Sequence, residues 1–138
     1  NVVAYWVPER AVVARQPLEA AYRIRWYGDS LDRPPLGRVV ATRRDTGDRE
    51  GAQRFVVDFA GGGLEEVPAK EIVHGALGML PEHGAELLGQ QVIKNPITGG
   101  WRLTFQVRPK GREVVDMRAR LELAGKSLTE IWAYPLIP

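Results

Sequence analysis

The 138-residue chain contains no cysteine, so it has neither disulfides nor thiolate-ligated metal sites, although that alone does not fix a compartment. Histidine is scarce: His74 and His83 are the only two, with no third ligand at a spacing zinc sites use, and no metal site is expected. Serine is as rare. Neither Ser30 nor Ser127 lies in a Gly-x-Ser-x-Gly elbow, which leaves acyl transfer without support. No apolar run approaches the ~20 residues of a membrane helix, and the first residues lack the basic start and apolar core of an export signal. Charge of one sign is lacking too. The 19 Lys and Arg against 17 Asp and Glu leave a net +2, too little for long-range attraction to nucleic acid or anionic lipid. Neither a nucleic-acid partner nor a cofactor is expected. The Arg residues are scattered, mostly on the polar sides of strands opposite acids, as Arg118 and Arg120 stand beside Asp116 and Glu122.

What the chain does have is alternation. Trp101, Leu103, Phe105 and Val107 alternate with Arg102, Thr104, Gln106 and Arg108; Val115, Met117, Ala119, Leu121 and Leu123 alternate with Asp116, Arg118, Arg120 and Glu122. Leu128, Trp132 and Tyr134 share one face, as do Phe55, Val57 and Phe59 earlier and, in the best strand of the first half, Leu18, Ala20, Tyr22, Ile24 and Trp26. A period of two is a strand with one buried side and cannot be a helix. Val3 to Val7 and Val39 to Arg43 add shorter strands, and 71–80 and 86–94 weaker ones. Gly28 to Gly37 and Asn95 to Gly100 are loop and turn by composition, and Gly125-Lys126 fits a tight hairpin. Gly61-Gly62-Gly63 leads into a short helical turn at 64–70, and lacks the Lys-Ser/Thr of a phosphate loop. The tract Thr42 to Gly51 has no apolar period and predicts a mobile, exposed connection.

Without an amphipathic helix or a repeat, these strands predict an all-β fold. The expectation is an immunoglobulin-like antiparallel β-sandwich of about seven to nine strands over residues 1–138 as one domain, with a barrel as the alternative. Trp26, Trp101 and Trp132 are the expected bulky core pieces, worth roughly 2–3 kcal/mol each by area in place of a disulfide. The chain opens directly in a strand, with no Met or leader, as expected of a piece of a longer polypeptide.

Two carboxylates could in principle flank a glycosidic bond. Asp58 lies on the polar side of its strand and Glu130 shares the side of Leu128 and Trp132, where a structural ion pair is the simpler reading. Trp6 and Tyr27 lie opposite the apolar stripes of their strands and are candidates for sugar stacking, or for covering by a further layer. Arg43, Arg44, Asp45, Asp48 and Arg49 form the densest charged tract and are the candidate contact loop.

Several segments together resemble one family. They are Asn1-Val2-Val3-Ala4-Tyr5-Trp6-Val7-Pro8, Tyr22-Arg23 with Trp26, Thr42-Arg43-Arg44 with Thr46-Gly47, and Arg54-Phe55-Val56-Val57-Asp58-Phe59-Ala60-Gly61. Asn95-Pro96, Thr98-Gly99-Gly100-Trp101-Arg102, Met117-Arg118-Ala119 and Leu128-Thr129-Glu130-Ile131-Trp132-Ala133-Tyr134 follow in order. In this order and spacing the chain resembles, over its whole length, the C-terminal domain of the osmoregulated periplasmic glucan biosynthesis proteins, G and D types, of Gram-negative bacteria. The resemblance implies a periplasmic parent with a signal peptide and a larger N-terminal β-sandwich, acting on β-1,2-linked glucans in the manner of inverting glycoside hydrolases. The acids of that activity belong to the large domain, so none is carried onto a residue here and this chain is expected to be non-catalytic. Implied partners are that N-terminal domain, β-glucan, a membrane glucosyltransferase and a second copy in a homodimer. A self-sufficient carbohydrate-binding module and a purely structural or dimerising domain are the alternatives. In the closing strand Ile131 and Ala133 replace the family's hydroxyl residues, which points to a covered face.

Overall fold

The computed structural model describes residues 11–24 and 35–138. By its internal contacts the chain divides into Asn1–Arg33 and Pro34–Pro138. In the first unit the described residues are exposed throughout and form no strand. The strand expected at Leu18 to Trp26 is therefore not formed over 18–24: Leu18, Tyr22 and Ile24 are 65%, 83% and 61% exposed. Alternation gives a strand its two faces, but a ladder also needs a neighbouring backbone, and no described residue pairs with this segment. The strand Val3 to Val7, Trp6, Trp26 and Tyr27 lie outside the described residues.

The second unit is an antiparallel β-sandwich, and its eight strands fall within the expected number. They are β1 (Arg38–Thr46), β2 (Gln53–Ala60), β3 (His74–Leu80), β4 (Ala85–Lys94), β5 (Trp101–Pro109), β6 (Val115–Leu123), β7 (Lys126–Ser127) and β8 (Trp132–Leu136). One sheet runs β1-β2-β5-β4; in the other β6 pairs with β3 along one side and with β7 and β8 along the other. A parallel bridge between Gly37 and Thr129 ties the start of β1 to the segment before β8. Bulges at Val39/Ala41 and Leu87/Gly89 fall on the two edge strands of the first sheet, where irregular backbone discourages pairing with other chains.

The inward residues of β2, β5 and β6 are those the alternation picks out. Phe55, Val57, Phe59, Leu103, Phe105, Val107, Met117 and Leu121 are all essentially fully buried. Phe55 and Phe105 stack at 5.3 Å, Trp132 meets both edge-on, and Tyr134 stacks on Trp132 at 5.7 Å. The polar end of Trp132 donates from Nε1 to Thr42 Oγ1 at 2.9 Å, so its burial leaves no orphan there. Trp101 fills the other end of the core, with the Lys94 ammonium 5.4 Å from its ring centre.

Several expectations shift. The expected helical turn at 64–70 is a run of four-residue turns, with Leu64 N–H to Gly61 O, Glu66 N–H to Gly63 O and Val67 N–H to Leu64 O. Gly62 has φ +61°, and a Cβ there would sit 2.2 Å from Gly37 N, so both its handedness and its contact demand glycine. The hairpin after β6 turns at Ala124-Gly125, both with positive φ, one residue earlier than expected. The last expected strand is interrupted. Thr129 turns inward, accepts from Leu121 N–H and donates to Glu130 O, which sends Glu130 outward rather than to the side of Trp132. Ile131 and Ala133 stand exposed.

Candidate functional site

The charged tract is not the mobile connection its composition suggests. Arg43, Arg44 and Asp45 belong to β1, paired residue for residue with Val56, Phe55 and Arg54 of β2. Only the tip from Gly47 to Ala52 is a turn, closed by Gly47 N–H to Ala52 O at 2.9 Å and Ala52 N–H to Arg49 O at 3.0 Å. Asp48 is fixed as well. Its N–H donates to Gln106 Oε1 at 2.8 Å, Gln106 Nε2 donates back to Asp48 Oδ2 at 2.6 Å, and Arg54 donates to Asp48 Oδ1. The hydrogen bond from Arg54, aided by that from Gln106, holds the Asp48 carboxyl below the ordinary aspartate range. Strands with few apolar residues leave no period to read, yet an edge strand needs only one good neighbour, and β2 supplies it.

Pleating sends Arg43 and Arg44 to opposite faces. Arg43 lies on the outer face and donates to Asp58 Oδ2 at 2.6 Å. Arg102, the cross-strand neighbour of Asp58, closes the same carboxylate with Nε at 2.6 Å and Nη2 at 3.0 Å. Arg102 is the main cause, with Arg43 adding to it, that the nearly buried Asp58 carboxyl is held below its usual range despite desolvation. Further along the face Arg108 pairs with Glu86 at 2.7 Å, again directly across a ladder, and draws the Glu86 carboxyl down. On the outer face of the β1-β2-β5-β4 sheet the carboxylates of Asp58 and Glu86 are thus each taken up by arginine partners.

Arg44 and Arg49 remain. Both are exposed, and neither side chain makes an ion pair or hydrogen bond with another described residue, though the charge of Arg49 is felt at Glu86. Arg44 borders a shallow depression with Asp45, Thr46, Ala52 and Gln53. At its floor the buried Gln53 Oε1 has no hydrogen-bond partner. Of the five residues of the tract, the structure commits Arg43 and Asp48 to the fold and leaves Arg44 and Arg49 as open donors.

The other candidates separate. Glu130 accepts from Val39 N–H at 2.9 Å and Asp58 is clasped by two guanidiniums, so both carboxylates already have partners. His74 and His83 are exposed, and no group of three potential metal ligands occurs among the described residues. Every aromatic side chain of Pro34–Pro138 belongs to the core or packs against it, so this unit presents no sugar-stacking strip. Trp6 and Tyr27 lie outside the described residues. No residue pattern marks Lys94, whose ammonium donates to three carbonyls, Leu64 O at 2.7 Å, Glu65 O at 3.0 Å and Val67 O at 2.8 Å. Three converging carbonyls are a property of the folded turn, which residue types do not announce.

Comparison with known proteins gives consistent relatives. Residues 1–136 match the family model described as periplasmic glucan biosynthesis protein, MdoG. The chain is 35% identical over 151 residues to glucans biosynthesis protein D 2 of Ralstonia nicotianae, covering 100% of this chain and 27% of that protein. It is 34% identical over 148 residues to glucans biosynthesis protein G of Dickeya dadantii, covering 99% and 28%. The protein G of Pseudomonas aeruginosa is 34% identical over 149 residues, with the same coverage of 99% and 28%. The chain thus spans little more than a quarter of the length of these relatives.

Proposed function

The chain belongs to the periplasmic glucan biosynthesis protein family, and from that premise we propose that it is the non-catalytic C-terminal domain of a periplasmic, glucan-processing parent protein. In this reading the sandwich is a rigid mount. The end of the β1–β2 hairpin carries Arg44 and Arg49 toward a β-glucan or toward the larger domain that holds it. A guanidinium offers five N–H donors and suits sugar hydroxyls as well as carboxylates. The N-terminal domain of the same parent, β-glucan, a membrane glucosyltransferase and a second copy are the partners proposed.

The observation that carries the reading is the commitment of Asp58. An acid or base catalyst must exchange protons, whereas a carboxylate gripped by Arg102 and Arg43 below its usual range stays ionised and occupied. Retention of the aromatic side chains of the sandwich, Pro34–Pro138, in and against its core speaks against that unit as a self-sufficient carbohydrate-binding module. The test is Arg44→Ala with Arg49→Ala in the parent protein. Glucan turnover or binding is expected to fall at least several-fold with no change in melting temperature, and unchanged turnover and binding would remove the hairpin from the proposal.

A further inference from the structure

Residues 18–24 have the pattern of a strand and none of its surroundings. In an extended strand Leu18, Ala20, Tyr22 and Ile24 would project to one side, with Glu19, Ala21 and Arg23 between them. A turn from Val13 to Gln16, closed by Gln16 N–H to Val13 O at 3.3 Å, reverses the chain just ahead. Pro17 then stands at the position where a strand tolerates proline, its first residue. Yet Leu18, Tyr22 and Ile24 are 65%, 83% and 61% exposed, and no ladder to another described residue satisfies their backbone. Water does not select a one-faced apolar stripe of this length.

The neighbouring unit does not need it. The core of Pro34–Pro138 closes between its own two sheets and contains no residue of 18–24. Meanwhile the whole chain aligns to only 27% of one relative and 28% of another, so most of a relative's length lies outside what this chain matches. We propose that Leu18–Ile24 is a strand of a β-sheet formed by the part of the parent polypeptide outside residues 1–138, pairing with its open edge and laying Leu18, Ala20, Tyr22 and Ile24 on its apolar face. The charged alternate residues place that sheet in an outer layer, with one side buried and the other wet. The segment would then be the covalent and structural tie between the sandwich and the larger body. This rests on the reading that the chain is part of a longer glucan-processing protein.

Hydrogen–deuterium exchange decides it. The amides of 18–24 are compared in the intact parent and in residues 1–138 alone, across a range of protein concentrations. The expected result is protection of at least about 100-fold in the parent and near-intrinsic exchange in the shorter chain at every concentration. Near-intrinsic exchange in both would overturn the inference. So would protection already present in the short chain, which at all concentrations would mean pairing or packing within residues 1–138, and only at high concentration pairing with a second copy. Tyr22→Asp in the parent should abolish the protection of 18–24 while leaving exchange in β5 and β6 unchanged. If the parent protects 18–24 but shows no dependence of glucan turnover on Arg44 and Arg49, the tie stands and the proposed role of the hairpin falls.

Discussion

Arg102 holds Asp58 with two nitrogens, Nε at 2.6 Å and Nη2 at 3.0 Å, from directly across the β2–β5 ladder. Arg43 reaches the same carboxylate with one nitrogen at 2.6 Å, from a side chain 61% exposed. The two guanidiniums are unequal, and their removal should be unequal too. Arg102→Ala is expected to cost ~1.5–3 kcal/mol, the range for hydrogen bonds to a charged group left poorly solvated. Arg43→Ala should cost ~0.5–1 kcal/mol, as for an exposed ion pair. Urea unfolding of the two variants measures this; equal losses would contradict it.

The same pairing sets an acid limit. The folded Asp58 carboxyl lies below its ordinary value of about 3.9, which the unfolded chain retains, so the unfolded state binds more protons in that window. The stabilisation is fully present above about pH 4–5 and is lost as pH falls through the lower, folded value. Asp58→Asn should therefore be less stable than the parent sequence at pH 7 and approach it as pH drops toward 2–3. A stability gap that stays constant from pH 7 to pH 3 would show that the charge of Asp58 is not what matters.

Lys94 clamps the turn that follows β2. Its ammonium satisfies the carbonyls of Leu64, Glu65 and Val67 while lying near the Trp101 ring. Lys94→Met keeps the apolar stem and orphans the carbonyls, at a cost of about 2–3 kcal/mol. The loosening should be local, seen as faster amide exchange across 61–67 with β6 and β8 little changed. Uniform loss of protection throughout the sandwich would contradict a local clamp.

The parts of this fold that a reader of the sequence recovers are those where burial alone decides. Strands β2, β5 and β6 each have one side in the core, and Phe55, Phe105 and Met117 mark it at strict intervals. Strand β1 is harder, because Thr42 to Thr46 are polar on both sides and their conformation is dictated by pairing to β2 rather than by burial. Leu18–Ile24 fails in the opposite sense, having the periodicity without a neighbour among the described residues. Within the candidate site, the tract was visible as charge, but its division was not. Which of Arg43 and Arg44 is consumed depends on which face Asp58 occupies across the ladder, a fact of register. The Lys94 clamp was invisible because its partners are backbone atoms.

The most direct measurement is release of reducing ends from β-1,2-glucan by residues 1–138 alone, set beside the parent protein and its Asp58→Asn variant. The isolated chain should release none above background, and Asp58→Asn should leave the parent's turnover within about two-fold, since a carboxylate held ionised between two guanidiniums transfers no proton. Saturable release by the isolated chain, abolished by Asp58→Asn, would place the chemistry in this sandwich and contradict its role as a mount.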